Sequence, residues 1–107
     1  MKSEFGQEEN ARDAAELFTL LANSYRVQIL ALLCERELTV TELGEALKAR
    51  PSVVSQQLRI LRLRDMVVAE RRGQFSHYRL ARPEIRDLIY CLQRCPIFEH
   101  PRRNPQS

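Results

Sequence analysis

A chain of 107 residues is one ordinary domain, with no room for a second. It is 44% hydrophobic and 29% charged, with three glycines and five prolines, which suits a compact soluble globule and excludes collagen-like and glycine-rich low-complexity chains. The net charge of +3 is unevenly spread: residues 1–47 hold four Lys/Arg against nine Asp/Glu, residues 48–82 nine against two, and residues 83–107 four against three, so the middle third carries the excess positive charge expected of a polyanion binder.

No apolar run approaches the roughly 20 residues of a membrane span, so no membrane partner is expected. The N-terminus, Met1-Lys2-Ser3-Glu4, lacks the apolar stretch of a signal peptide, and a cytoplasmic protein is the expectation. Three cysteines, an odd number, do not make an extracellular disulfide framework.

In chain order, residues 1–8 are polar and read as a flexible N-terminus, residues 9–95 as the folded domain, and residues 96–107 as a tail containing prolines and arginines. From about Glu9 to Ala22, apolar residues at Ala11, Ala14, Ala15, Phe18, Leu21 and Ala22 mark one face of a helix. Asn23-Ser24 breaks it and caps a second helix, about Tyr25 to Glu35, with Val27, Leu30, Ala31 and Cys34 inward. Thr39 and Glu42 have the T-x-x-E spacing of a capping box and open a short third helix ending near Leu47. Pro51 suits the first position of a fourth helix, to about Arg64, with Val54, Leu58 and Leu61 as its buried stripe. Met66 to Glu70 and Phe75 to Leu80 read as strands joined by a tip at Arg71-Arg72-Gly73-Gln74. Pro83 opens a last helix to about Cys95. The expected class is mainly α with a small β-hairpin, in the order α-α-α-α-β-β-α.

Two short helices joined by three or four residues form a helix-turn-helix. The second presents Ser52, Val53, Ser55 and Gln56 outward, with Gln57 beside them. Small polar and amide side chains are what base-edge readout requires, because an amide pairs bidentately with adenine and a hydroxyl serves either base class. Arg59, Arg62 and Arg64 at the helix end can reach phosphates, which position a protein without reading sequence, and Arg50 joins the candidate DNA contacts before the row. The hairpin adds Arg71, Arg72, Gln74, His77 and Arg79, a basic wing able to reach phosphate or a minor groove. The expected partner is double-stranded DNA. A protein-interaction module is the rival, weakened by the concentration of positive charge. An enzyme is not expected, since there is no Cys-x-x-Cys, no glycine-rich phosphate loop and no activated nucleophile: Cys34, Cys91 and Cys95 all fall late in their helices, where the dipole disfavours a thiolate.

The stretches Leu38-Thr-Val-Thr-Glu-Leu43, Ser52-Val-Val-Ser-Gln-Gln-Leu-Arg-Ile-Leu-Arg62 and Gly73-Gln-Phe-Ser-His-Tyr-Arg-Leu80 resemble the winged helix-turn-helix repressors of the ArsR/SmtB family, as does Ala22-Asn-Ser-Tyr-Arg-Val-Gln-Ile-Leu30. The resemblance covers about residues 11–95. It implies a homodimer built from the first and last helices, operator binding through helix 51–64 and the wing at 68–80, and release on binding an inducer. That family commonly carries histidine or glutamine near Gln57. Its third-helix metal site has cysteines where this chain has Thr39 and Thr41, which are poor ligands for soft metals. Its last-helix site, of Asp, His, His and Glu, is matched here by Arg82, Glu84, Cys95 and Phe98, so no cofactor is required by either pattern.

Three roles stay open for Cys34, Cys91 and Cys95. They can be small buried apolar residues, the usual place of a free cysteine. They can form a thiol switch, as in a sulfur- and redox-responsive branch of the family that pairs a second-helix with a last-helix cysteine. In this chain Ala31 stands at the first of those positions, Cys34 follows one turn later and Cys95 lies near the second. Or they can bind a soft metal or a metalloid such as arsenic(III), with His100 as a further donor.

Overall fold

The computed structural model describes residues 4–96. The tail expected from residue 96 onward, with Phe98 and His100, lies outside the described residues except for Pro96. A short 3-10 turn, Glu4–Gly6, precedes helix α1, Glu8–Leu21. Then follow α2 (Ser24–Leu33), β1 (Leu38–Thr39), α3 (Val40–Leu47), α4 (Pro51–Leu63), β2 (Val67–Arg72), β3 (Phe75–Leu80) and α5 (Pro83–Arg94). The expected elements are all present, with ends displaced by a residue or two.

The local signals act as their chemistry dictates. Asn23 caps α2 by accepting from the Arg26 amide at 3.2 Å. Thr39 and Glu42 form a reciprocal capping box: the Thr39 hydroxyl accepts from the Glu42 amide at 3.2 Å, and the Glu42 carboxylate from the Thr39 amide at 2.9 Å. Lys48 turns the chain out of α3 in the left-handed region, φ 55°. Pro51 occupies the first turn of α4.

One element was not expected. The two residues of β1 pair antiparallel with β3, Leu38 with Tyr78 and Thr39 with His77, giving a three-stranded sheet in the order β1-β3-β2. The hairpin tip is also tighter than expected. Arg71 and Arg72 belong to β2, Arg72 pairs with Phe75, and only Gly73-Gln74 turns. Gly73 has φ +62°, which the first central position of a type II′ hairpin turn demands.

The core gathers on α2. Ile29, Leu30, Leu43 and Leu61 are wholly shielded from solvent, and Leu33, Cys34, Leu58, Val67 and Ile89 join them. Because α2 contacts α1, α3, α4, α5 and β3, it is buried on nearly every side.

Thr39→Ala should lower stability by about 1 kcal/mol, read as a lower urea midpoint at unchanged slope. Glu42 supplies the pH dependence of this cap. Its carboxyl is held below the usual carboxylate range, chiefly by the hydrogen bond from the Thr39 backbone N–H. A group depressed in the folded state contributes fully above its unfolded pKa and loses that contribution as pH falls through its folded pKa. The stability difference between wild type and Glu42→Gln should therefore shrink as the solution is acidified through the carboxylate range. A constant difference would show that the charge on Glu42 is immaterial.

Candidate nucleic-acid interface

Helices α3 and α4 meet across a turn at Lys48-Ala49-Arg50. A methyl at Gly44 would stand 3.1 Å from the Ala49 carbonyl oxygen, so glycine permits this close approach. Along α4, Val54, Gln57, Leu58 and Leu61 face inward. Ser52, Ser55, Gln56, Arg59 and Arg62 are exposed, Val53 is half-buried, and Arg50 is exposed at the N-cap. The row expected to read base edges thus stands on the solvent side of the helix, above an apolar stripe that fixes its rotation.

Gln57 must be removed from that row. It is only 9% exposed, and its Oε1 accepts a hydrogen bond from Arg26 Nη1 at 3.2 Å. Its place at i+3 from Val54 puts it on the buried stripe, where its amide serves the interior instead of a base.

The wing carries ion pairs of its own. Arg72 donates to Glu70 at 3.0 Å and pairs with Glu37 at 2.7 Å, while Arg79 stands 3.9 Å from Glu37. The hydrogen bond from Arg72 holds the Glu70 carboxyl below its usual range, and the bonds to Glu70 and Glu37 raise the Arg72 guanidinium further. His77 is half-buried in the central strand between Thr39 and Glu70, and its charge would act on Glu42 and Glu70. Arg72 and Arg79 therefore share Glu37 in an ion cluster on the outer face of the sheet, with both guanidinium groups still about half exposed. The wing tip keeps Arg71, whose Nε donates to the Gly73 carbonyl at 3.0 Å, together with exposed Gln74 and Phe75, the latter 53% exposed.

On the opposite side, α1, α2 and α5 enclose an apolar cleft of about 460 Å³, lined by Phe18, Leu21, Val27, Ala31, Leu88, Ile89, Leu92 and Gln93. Phe18 is 66% exposed beside it.

The three cysteines part company. Cys34 is buried in the core at 5% exposure, and burial pushes its thiol up, against the opposing pull of the nearby Arg86 guanidinium. Cys91 is exposed and Cys95 half-buried, and both line a cleft at the end of α5 with Asp87, Tyr90, Arg94 and Pro96. Among the described residues no three His, Cys, Asp or Glu are grouped to hold a metal ion, so the trio Cys34, Cys91 and Cys95 is not assembled within one chain. No helix among the described residues is long and apolar enough to cross a membrane.

Two short helices presenting a polar row, backed by a helical core and followed by a β-wing, define a winged helix-turn-helix regulator. Residues 23–67 match the description "Bacterial regulatory protein, arsR family". The transcriptional activator HlyU of Vibrio cholerae is 36% identical over 87 residues, 81% of each chain. The chain belongs to the ArsR family. A transcriptional repressor SmtB homolog of Synechocystis sp. is 38% identical over 80 residues, which are 75% of this chain and 61% of that longer relative. Among solved structures, reduced HlyU from Vibrio cholerae superposes with a TM-score of 0.77 at 34% identity, covering 84% of this chain and 95% of that one. The homodimeric winged helix-turn-helix domain of Mb0332 from Mycobacterium bovis gives 0.72 at 28% identity, covering 86% and 84%.

The different settings of the thiols give a direct expectation. Under native conditions at neutral pH, iodoacetamide should label Cys91 first and Cys34 last, because only an accessible thiolate is alkylated at an appreciable rate. Peptide mass spectrometry over time checks the order. Equal rates for Cys34 and Cys91 would mean that the core opens around α2.

Proposed function

We propose that this protein is a homodimeric, DNA-binding transcriptional repressor of the cytoplasm, released from its operator by modification of thiols on α5. The observation that carries the DNA reading is the exposed row of Ser52, Ser55, Gln56, Arg59 and Arg62 on α4. It is rigidly mounted on a buried stripe and unobstructed by the rest of the described chain. Gln56 and the two serines would read base edges in the major groove, while Arg50, Arg59, Arg62 and the wing-tip Arg71 would engage phosphates. In a dimer the two α4 helices would enter successive major grooves of a roughly palindromic site.

The apolar cleft and exposed Phe18 on α1 and α5 support a dimer through those helices, since a second copy would cover surface that one chain leaves to water. The similar Mb0332 domain is homodimeric.

For sensing, the accessible pair Cys91 and Cys95 takes precedence over Cys34. They share a cleft on the helix proposed to form the dimer, so a new covalent group there would disturb the seating of α5. A coupling of only about 1–3 kcal/mol suffices for a useful switch. Binding of a soft metalloid by the same two thiols is the rival chemistry.

Duplex affinity should fall steeply with salt, with a log–log slope of about −0.9 for each phosphate neutralised. A flat dependence would remove the DNA reading. Gln56→Ala should cost roughly 1–3 kcal/mol on the preferred site and little on random duplex. Arg62→Ala should weaken all duplexes alike and reduce the slope by about 1. Arg72→Ala should change affinity less than Arg62→Ala, because its charge is already committed to Glu37 and Glu70. For the switch, release by polysulfide or peroxide that persists in a Cys91→Ser, Cys95→Ser double variant would exclude these thiols. Release by arsenite alone would favour the metalloid.

A further inference from the structure

Arg26 holds three parts of the molecule at once. Its backbone N–H is bound by the Asn23 side chain at 3.2 Å, which fixes the residue at the head of α2. Its Nε donates to the carbonyl oxygen of Leu20, in the last turn of α1, at 2.7 Å. Its Nη1 donates to Oε1 of Gln57 on α4 at 3.2 Å. The first side-chain contact is short and charge-assisted, and it satisfies one of the carbonyls that a helix end leaves without an intrahelical partner. The second reaches an amide that is buried beneath the exposed row of α4. One rigid planar guanidinium therefore sets the end of α1 and the middle of α4 at a fixed mutual position.

Val54, Leu58 and Leu61 supply the apolar burial of α4, with Gln57 as the one polar residue on that stripe. Apolar packing resists separation of α4 from α2, but it resists sliding and rotation less, because it is non-directional. A hydrogen bond to a defined oxygen supplies that direction. The α1 end of the clip lies next to Leu21, which lines the apolar cleft. A rearrangement of α1 at that cleft would thus reach α4 through Leu20, Arg26 and Gln57.

We propose that Arg26 is a positioning residue for DNA recognition, which through Gln57 sets the orientation of α4 relative to α1 and so links the proposed dimer face to the base-reading face. The proposal rests on the DNA-binding reading and specifies how its geometry is held.

The test uses the full chain and two probes. One is the duplex that wild type selects from a randomised library of about 30 base pairs, room for two half-sites a helical turn apart. The other is a scrambled duplex of the same composition. Arg26→Lys keeps the charge but offers one nitrogen in place of two. Gln57→Met keeps the volume and removes the acceptor. Gln57→Glu keeps an acceptor.

Each of the first two variants should bind the selected duplex about tenfold more weakly, within the roughly 5–150-fold range of couplings between sites. Binding to the scrambled duplex should stay within about twofold, and the double variant should lose no more than the worse single one. Gln57→Glu should keep most of the wild-type preference. Circular dichroism at the assay temperature gives the folded fraction, to which affinities are normalised. A contact that matters only for stability would lower both affinities together or neither after that correction, and either result overturns the proposal. So does additivity of the two variants, or Gln57→Glu behaving like Gln57→Met. If Gln57→Met does not fold, Arg26→Lys and Gln57→Glu decide by the same criteria. Wild type that selects no duplex defeats the DNA reading itself, a failure visible before any variant is made.

Discussion

The structure depends on the burial of α2. Ile29 and Leu30 are wholly shielded, Leu33 and Cys34 nearly so, and the helix touches the four other helices and the central strand. Only Ser24, Tyr25 and Gln28 of this helix are exposed, so most of its surface is apolar and non-directional, and its ends are left to locate its neighbours. The ends are where the polar contacts occur. At the N-terminal end, Asn23 and Arg26 tie α2 to the last turn of α1 and to α4. At the C-terminal end, Arg86 of α5 donates Nε to the Cys34 carbonyl at 3.0 Å. Both arginines place a cation at a helix C-terminus, where the dipole favours it. Apolar area supplies the cohesion and two guanidinium groups supply the direction.

Charge is more evenly distributed in space than along the chain. The positive middle third folds beside Glu37, which arrives through the short pairing of β1 with β3. The wing arginines Arg72 and Arg79 are partly neutralised there, and Arg64 at the end of α4 stands 3.6 Å from Glu16 of α1. These pairs are solvent-exposed and contribute little to stability. Their effect on a polyanion is larger, because a phosphate must compete with a carboxylate already in place. Arg50, Arg59, Arg62 and Arg71 have no carboxylate within 4 Å among the described residues, so α4 and the wing tip keep cations that a polyanion can engage without competition.

The helices were legible because their signals are local. Thr39 with Glu42, Pro51 and Asn23 each announce a helix start through chemistry confined to one turn. The hairpin was legible from Gly73 and the alternation around it, and the apolar sides of α4 and α5 from their period. What escaped was of two kinds. A strand of two residues, Leu38–Thr39, has no period to detect, and it exists only because β3 offers a free edge. Gln57 had a readable position, three residues after Val54 and before the rest of the stripe, but its polarity suggested the surface. Only the approach of Arg26, 31 positions away, explains a buried amide there. The ion cluster around Glu37 was hidden for the same reason: sequence shows charges, and pairing across strands is a property of the register.

The cysteines show how one residue type separates by setting. Cys34 closes α2 inside the core, where desolvation penalises the thiolate and the hydrogen bond from Arg86 goes to its backbone carbonyl. It packs within the core cluster. Cys91 and Cys95 lie beyond Ile89, the last deeply buried residue of α5, where the helix runs out toward solvent. Arg86 and these thiols thus share one helix and its C-cap, with the anchor to α2 near the start and the two cysteines at the end. A group added at the far end would act on that anchor through the helix as a lever, and the anchor bears on the helix to which α4 is clipped. The proposed thiol switch therefore does not require the core to open, and a buried Cys34 is compatible with it.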